Sequence, residues 1–368
     1  MYLDLARGIG ALLVAAWHIR NGGRAENYSL INLHYAVVDF FFLLSGFVLF
    51  PRLQRFDNAS SGEPTHRWFL WHRFLRLWPL TLIILFFALL LEIGTYLYEQ
   101  KNGRPGIYPA FAERPLWALP VAALFGQLVS RFAWNWYAPL WSIAALWWAT
   151  CATVATPHFK KVRYEWLLLI TGVGMEILIL INDGTNLANG DFYFGFTGFA
   201  RALIGFNLGL ILRRHQLKNQ QTSKAALGMM SIIGFIVLVQ VDHMYQDRGI
   251  VASPFVLIPF VLLLANIDSS KLSDKTSHFF TTVGKYSFPI FIWHILIMKL
   301  YAYGLLIVGL QNGTLDHLAI KYPVIIAITV AVSGMSMKYF EPKIERIVER
   351  TGLRFLPFLR TTPQSQAL

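Results

Sequence analysis

Apolar residues in this chain fall in long blocks separated by short polar or basic stretches. The blocks run over approximately 3–20, 35–53, 73–98, 116–131, 138–156, 165–182, 194–212, 225–242, 251–267, 286–309 and 319–340. An α-helix needs roughly 20 predominantly apolar residues to cross a bilayer, and most of the blocks approach that length. Inside lipid the backbone must satisfy its own hydrogen bonds, so blocks of this kind predict spanning helices.

Charge decides how many of the eleven blocks cross. The linker 51–76 carries Arg52, Arg55, Arg67, Arg73 and Arg76, and the C-terminal end carries Lys338, Lys343, Arg346, Arg350, Arg354 and Arg360. Positive charge favours the cytoplasmic side, so both are expected there. Eleven crossings would put them on opposite sides. Removing one block restores agreement, and the weakest is 116–131, which is short and interrupted by Pro120, Gln127 and Ser130. It is expected to be a re-entrant or interfacial helix on the outer side. The loops with Lys160, Lys161 and Arg163, with Arg213, Arg214, Lys218 and Lys224, and with Lys271 and Lys275 then all fall inside. The outer loops 183–193 and 310–317 hold no Lys or Arg. The expected fold is therefore all-α: a polytopic membrane bundle of about ten transmembrane helices plus one re-entrant or interfacial helix. Residues 1–345 form the transmembrane domain and 346–368 a short basic cytoplasmic tail.

Composition agrees. Of the 368 residues, 55% are hydrophobic and 14% charged, against about 45–50% and 25% in soluble domains. That excludes a disordered chain, a collagen-like chain and an ordinary cytosolic enzyme. The net charge of +12 would raise the question of nucleic acid in a soluble protein. Here it lies mostly between apolar blocks and reads as an orientation signal. The single Cys151 rules out an intrachain disulfide and a cysteine-based zinc site. No metal site is expected. Asp4 and Arg7 open the first block, which argues against a signal peptide.

Ionisable groups inside spans are costly and are functional candidates by default. In the first block Asp4 and Arg7 are three apart, and His18 lies eleven beyond Arg7. Eleven residues are about three helical turns, so Arg7 and His18 share a face roughly 16 Å apart. They are either interfacial anchors and an end cap, or a polar path. Asp39 in the second block is expected level with His18. There it either orients the imidazole, as a carboxylate does in hydrolytic triads, or merely ties two helices. Ser45 and Gly46 form a small-residue step suited to close packing. Arg73 and Arg76 lie one turn apart, where they can grip a phosphorylated ligand or simply obey the positive-inside rule. His294 lies well inside its block, as packing residue or catalyst. Arg201, Asn207 and Glu176 need partners, but their spacing names no chemistry. No internal repeat is evident, which weakens an inverted-repeat transporter reading. HExxH, Walker and GxSxG motifs are absent.

Together these strings resemble the acyltransferase type 3 family of membrane enzymes. The likeness rests on Asp4, Arg7 and His18; on DFFFLLSGF from Asp39; on RFLRLWP from Arg73; and on WSI from Trp141. It continues through RALIGFNLGLIL from Arg201, GKYSFPIFIWH ending at His294, and FEPKIER ending at Arg346. One departure stands out: the family usually has a Glu three residues after the Trp-Ser-Leu element, and Leu146 stands there.

The resemblance implies transfer of an acyl group, usually acetyl, from cytoplasmic acyl-CoA to a hydroxyl of a glycan on the outer side of a bacterial inner membrane. Acyl-CoA is the donor substrate, and no cofactor is expected to be permanently bound. The expected partners are acyl-CoA, a carbohydrate or other hydroxyl-bearing acceptor and the lipid bilayer, with no nucleic acid. His18 would be the general base, or an acyl-histidine relay, with Asp39 as its orienting partner. Arg7, Arg73 and Arg76 would bind the donor, and Asp4, Ser45, Trp141, Ser142, Arg201 and His294 would line the substrate path. The alternative is a transporter or flippase whose pathway the same residues line.

With residues 51–72, 213–224 and the C-terminal tail cytoplasmic, cysteines placed at positions 60 and 220 on a Cys151→Ala background should resist an impermeant thiol reagent in intact cells. Labelling of either from outside would overturn the orientation.

Overall fold

Each apolar block becomes helical in the computed structural model of the protein, but not every block becomes one helix. The structure describes residues 1–21, 34–57, 66–103, 109–155, 163–182, 192–218, 223–244, 253–268, 270, 272–308, 318–343 and 346. Of the basic residues used to orient the chain, Lys160, Lys161, Lys271, Arg350, Arg354 and Arg360 lie outside them. The long helices are α1 (Tyr2–Asn21), α2 (His34–Asp57) and α3 (His66–Asn102). After the short α4 (Ala118–Ala123) and α5 (Arg131–Trp136) come α6 (Leu140–Ala155), α7 (Arg163–Asn182), α8 (Phe192–Lys218) and α9 (Lys224–Met244). The last are α10 (Ser253–Val256), α11 (Ile258–Asn266), α12 (Asp274–Ile307) and α13 (Leu318–Met335). No strand occurs among the described residues.

Among the described residues, four helices are long and apolar enough to cross a membrane by length and composition: Ala36–Gln54 in α2, Phe69–Asn102 in α3, Asp274–Leu305 in α12, and Ile320–Lys343 from α13 onward. Each carries an interior proline, namely Pro51, Pro79, Pro289 or Pro323. Such prolines are tolerated in membrane helices because neighbours re-satisfy the freed carbonyls. The block 251–267 is divided at Leu257 between α10 and α11. Pro259, in the first turn of α11, explains the break, since its ring clashes with the carbonyl four residues back and it has no N–H to donate.

The chain divides into two compact units. One joins Met1–Phe47 with Ile204–Gly334, and the other joins Val48–Leu203 with Met335–Leu368. Within the first unit, α1 buries Gly8, Ala11, Val14, Ala15 and Ile19 along one stripe, the face expected of a packed helix. Gly8 lies on Val283 and Gly284 lies on Asp4, while Ile19 packs with Ile297 and Ile325. Low numbers meet low numbers, so α1 and α12 run parallel. The α2–α8 contact is also parallel. A Cβ on Gly205 would meet Phe42, and one on Gly209 would meet the Leu43 carbonyl and Phe47. One on Gly46 would strike the backbone of Phe206. Gly205-x-x-x-Gly209 facing Gly46 is a small-residue seam that brings two backbones together, as the Ser45-Gly46 step anticipates.

Within the second unit, residues 109–139 make a hairpin of short pieces against α3. Its entry and exit lie beside Glu92: the Phe111 N–H donates to Glu92 Oε1 at 2.9 Å and Arg114 meets Glu92 Oε2 at 2.6 Å. Arg114 Nε also donates to the Asn135 carbonyl at 2.9 Å, which ties the two arms together. The tip lies beside Trp78, whose indole N–H donates to the Ala123 carbonyl at 2.9 Å. Trp78 and Glu92 are fourteen positions apart, or roughly 21 Å along a helix. The segment therefore travels far along α3 and returns to the level where it began.

The glycine seam gives a stability prediction. Gly46→Ala and Gly209→Ala should each lower the melting temperature of detergent-purified protein, because overpacking costs typically ~1–3 kcal/mol. Gly94→Ala and Gly228→Ala, at glycines with nothing within 4 Å of the added methyl, should leave it unchanged or slightly raised. Equal behaviour of the two pairs would show that the seam is not close-packed.

Candidate active site

The parallel pairing of α1 with α12 places polar groups at two levels. At the lower level Arg7 donates from Nη2 to the Gly284 carbonyl at 2.8 Å and from Nε to Ser287 Oγ at 3.0 Å. Asp4 Oδ1 stands 3.7 Å from the same guanidinium. Ser287 in turn donates to the Gly284 carbonyl at 2.7 Å. Two helix backbones with no side chain at Gly8 and Gly284 allow this approach. Arg7 thus acts as a clamp between α1 and α12, with Asp4 balancing its charge.

At the upper level the two helices bring two histidines together. His294 Nε2 lies 3.2 Å from His18 Nδ1, and the ring centroids are 4.9 Å apart. His294 is fully buried and His18 half-buried. Each ring also faces a carbonyl of its own helix: His18 Nδ1 lies 2.9 Å from Val14 O, and His294 Nδ1 lies 3.2 Å from Ile290 O. A carbonyl only accepts, so both Nδ1 atoms carry hydrogen. His18 Nδ1–H is then shared between Val14 O and the lone pair on His294 Nε2. In the neutral pair this puts the basic lone pair of His18 on Nε2. Such an arrangement, in which one ring nitrogen is held so that the other is set as a base, is what a catalytic imidazole requires.

Sequence reasoning assigned the orienting role to Asp39. That residue is almost fully buried in α2 of the same unit, and Val14 O and His294 Nε2 lie at His18 Nδ1. Ser45 is half-buried on α2, next to the glycine seam.

The other site residues belong to the second unit. Arg73 is half-buried and Arg76 exposed, one turn apart near the start of α3. Between and beyond them runs an aromatic ladder: Trp71 stacks on Phe74 and Phe74 on Trp78, with centroids 5.9 and 5.1 Å apart. Trp141 of α6 stacks on Trp134 at 5.5 Å, and the guanidinium of Arg201 lies 5.5 Å over its ring. Gly198, one turn before Arg201, leaves room for the indole. Arg201 is buried, and a cation over an indole face is a favourable way to hold a desolvated charge. Ser142 Oγ donates to the Pro139 carbonyl at 3.1 Å. The Glu176 side chain lies outside the described residues.

Sequence reasoning missed the Glu92–Arg114 pair. Glu92 is 5% exposed and its two oxygens are both engaged. The signal was present, because Glu92 lies inside the apolar block 73–98 and a carboxylate there requires a partner. Its partner, Arg114, is distant in sequence and lies in a stretch with no periodic pattern.

A family model described as an acyltransferase domain, Acyl_transf_3, matches residues 2–334 of the 368. No curated protein and no solved structure matches the chain.

Proposed function

The chain belongs to the Acyl_transf_3 family and is a membrane acyltransferase, and we propose that it moves an acyl group, acetyl in the simplest case, from cytoplasmic acyl-CoA to a hydroxyl of a glycan on the outer side. Family membership favours this over a transporter or flippase. The observation that carries the chemistry is the hydrogen bond between His18 and His294.

In the proposed step the acceptor oxygen attacks the thioester carbonyl while its proton passes to His18 Nε2. The new C–O bond forms, the C–S bond breaks, and the departing thiolate takes the proton from His18. During the step His18 carries a positive charge. His294 Nε2 and Val14 O accept its Nδ1–H, which stabilises that charge where water is scarce. His294 is therefore an orienting residue in this scheme, and the buried Asp39 of the same unit keeps its proposed supporting role. Arg7 is occupied with Gly284 and Ser287, so donor binding is assigned to Arg73 and Arg76, whose guanidiniums suit phosphate oxygens. Trp141, Ser142 and Arg201 are proposed on the substrate path.

The proposed topology has ten spans, with both ends cytoplasmic in a bacterial inner membrane. The parallel contacts support it. If all eleven apolar blocks crossed, α1 and α12 would be the first and tenth crossings, and α2 and α8 the second and seventh. Both pairs would then be antiparallel. Omitting one block between α2 and α8 makes both parallel, as observed, and the hairpin at 109–139 is the segment whose ends return to one level of α3.

Two variant sets test the roles. Arg73→Ala and Arg76→Ala should each raise the donor KM, since losing a hydrogen bond to a charged group costs roughly 1.5–3 kcal/mol, or about 10–150-fold. Lysine should rescue only in part. An unchanged donor KM would reduce the pair to an orientation signal. His18→Gln should remove general-base catalysis, typically 10²–10⁴-fold in kcat. His294→Leu should lose less, because the Val14 carbonyl still holds the tautomer. Near-normal acyl transfer by a well-expressed His18→Gln variant would sink the catalytic assignment.

A further inference from the structure

The tip of the 109–139 hairpin is a turn held from several sides and strained at its centre. After α4 the chain turns at Phe125, which adopts a left-handed conformation with φ of 59°, and returns through a single 3-10 turn at Gly126–Leu128. That conformation is a true outlier for a bulky side chain, and it persists only where the surroundings over-determine it. The surroundings here are specific. Trp78 of α3 donates to the Ala123 carbonyl and Trp148 of α6 donates to the Phe125 carbonyl, both at 2.9 Å. The Phe125 ring is fully buried against Phe74 and Trp147, at centroid distances of 6.1 and 5.9 Å. A Cβ on Gly126 would collide with Val121.

The next residue is Gln127, which is 2% exposed. Its amide N–H donates to the Ala122 carbonyl at 2.9 Å. Its Oε1 is buried and has no hydrogen-bond partner among the described residues. A carbamoyl oxygen can accept two hydrogen bonds, and folded proteins seldom bury one without any. A leucine or methionine would occupy similar volume without an orphaned acceptor. A rigid turn, anchored by two indoles and holding a buried acceptor with an open valence, suits recognition of an N–H or O–H donor.

The position narrows the ligand. The turn packs on Phe74, which lies between Arg73 and Arg76 in sequence, and on Trp78, one turn farther along α3. A donor whose phosphates sit on the arginine pair extends its pantetheine arm away from them, and that arm carries secondary amides with N–H groups. We infer that Gln127 is a donor-specificity residue whose Oε1 accepts a hydrogen bond from an amide N–H of the acyl-CoA arm. This rests on the acyl-CoA reading given above.

The test uses the full-length protein in detergent, with acetyl-CoA and two analogues in which one or the other arm amide N–H is replaced by an ester oxygen. Wild type should bind one analogue about tenfold more weakly than acetyl-CoA, the usual scale for one lost neutral hydrogen bond in a buried site. Gln127→Met should raise the acetyl-CoA KM by a similar factor, keep kcat within about twofold, and bind acetyl-CoA and that analogue alike. Its melting temperature without donor should be no lower than that of wild type. If the variant fails to insert, the analogues on wild type decide alone, and equal affinity for all three donors overturns the inference. A fall in melting temperature with unchanged KM also overturns it, because it assigns Gln127 to the fold or to a buried water. A wild type that neither binds nor turns over any acyl-CoA would instead remove the donor reading itself.

Discussion

Hydrocarbon offers no hydrogen bonds, so every polar group carried into an apolar span must find its partner within the protein. Many of the described polar groups of this chain follow that constraint, the buried Gln127 Oε1 being one that does not. Arg7 is satisfied by the Gly284 carbonyl and Ser287, His18 and His294 by each other and by carbonyls of their own helices, and Glu92 by Arg114 and a backbone N–H. Thr81, Thr150, Thr153 and Thr329 each donate back to the carbonyl four residues earlier. Groups that pair across helices set which helices adjoin, in which direction and at what register.

Packing and polarity cooperate at the α1–α12 seam. Gly8 and Gly284 remove side chains where the backbones meet, which brings the Gly284 carbonyl within reach of Arg7. Once that level is fixed, the similar rise of two parallel helices sets the next. Arg7 to His18 is eleven residues and Gly284 to His294 is ten, so two imidazoles arrive at nearly the same height. Chemistry at the upper level thus depends on a clamp some 16 Å away. The tautomer of His18 follows from that register, because a neighbouring acceptor and its own helix carbonyl both face Nδ1–H.

The two units hold different kinds of chemistry. The first contains Asp4, Arg7, His18, Asp39, Ser45 and His294, the groups suited to moving a proton. The second contains Arg73, Arg76, Trp141, Ser142 and Arg201, together with aromatic stacks, the groups suited to holding a large charged and partly planar ligand. An acyltransferase needs both, and membership of the Acyl_transf_3 family agrees with their presence in one chain.

What the sequence determined by itself is what lipid and helical periodicity dictate locally. Block length and composition announced helices, the Ser45-Gly46 step announced a close contact, and the eleven-residue spacing placed Arg7 and His18 on one face. The ordered motifs pointed to the family. The interruptions at Pro120, Gln127 and Ser130 marked a block that does not form a single helix. What only the tertiary structure decided are the partners. His294 as the neighbour of His18, Arg114 as the counter-ion of Glu92, and Trp78 and Trp148 as anchors of the hairpin tip are pairings between residues far apart in sequence, Glu92 and Arg114 being the nearest at 22 positions. A span announces that its polar residue needs a partner, because burying it alone is costly. Which residue answers depends on helix direction and register, and those arise from packing between helices that no local pattern encodes.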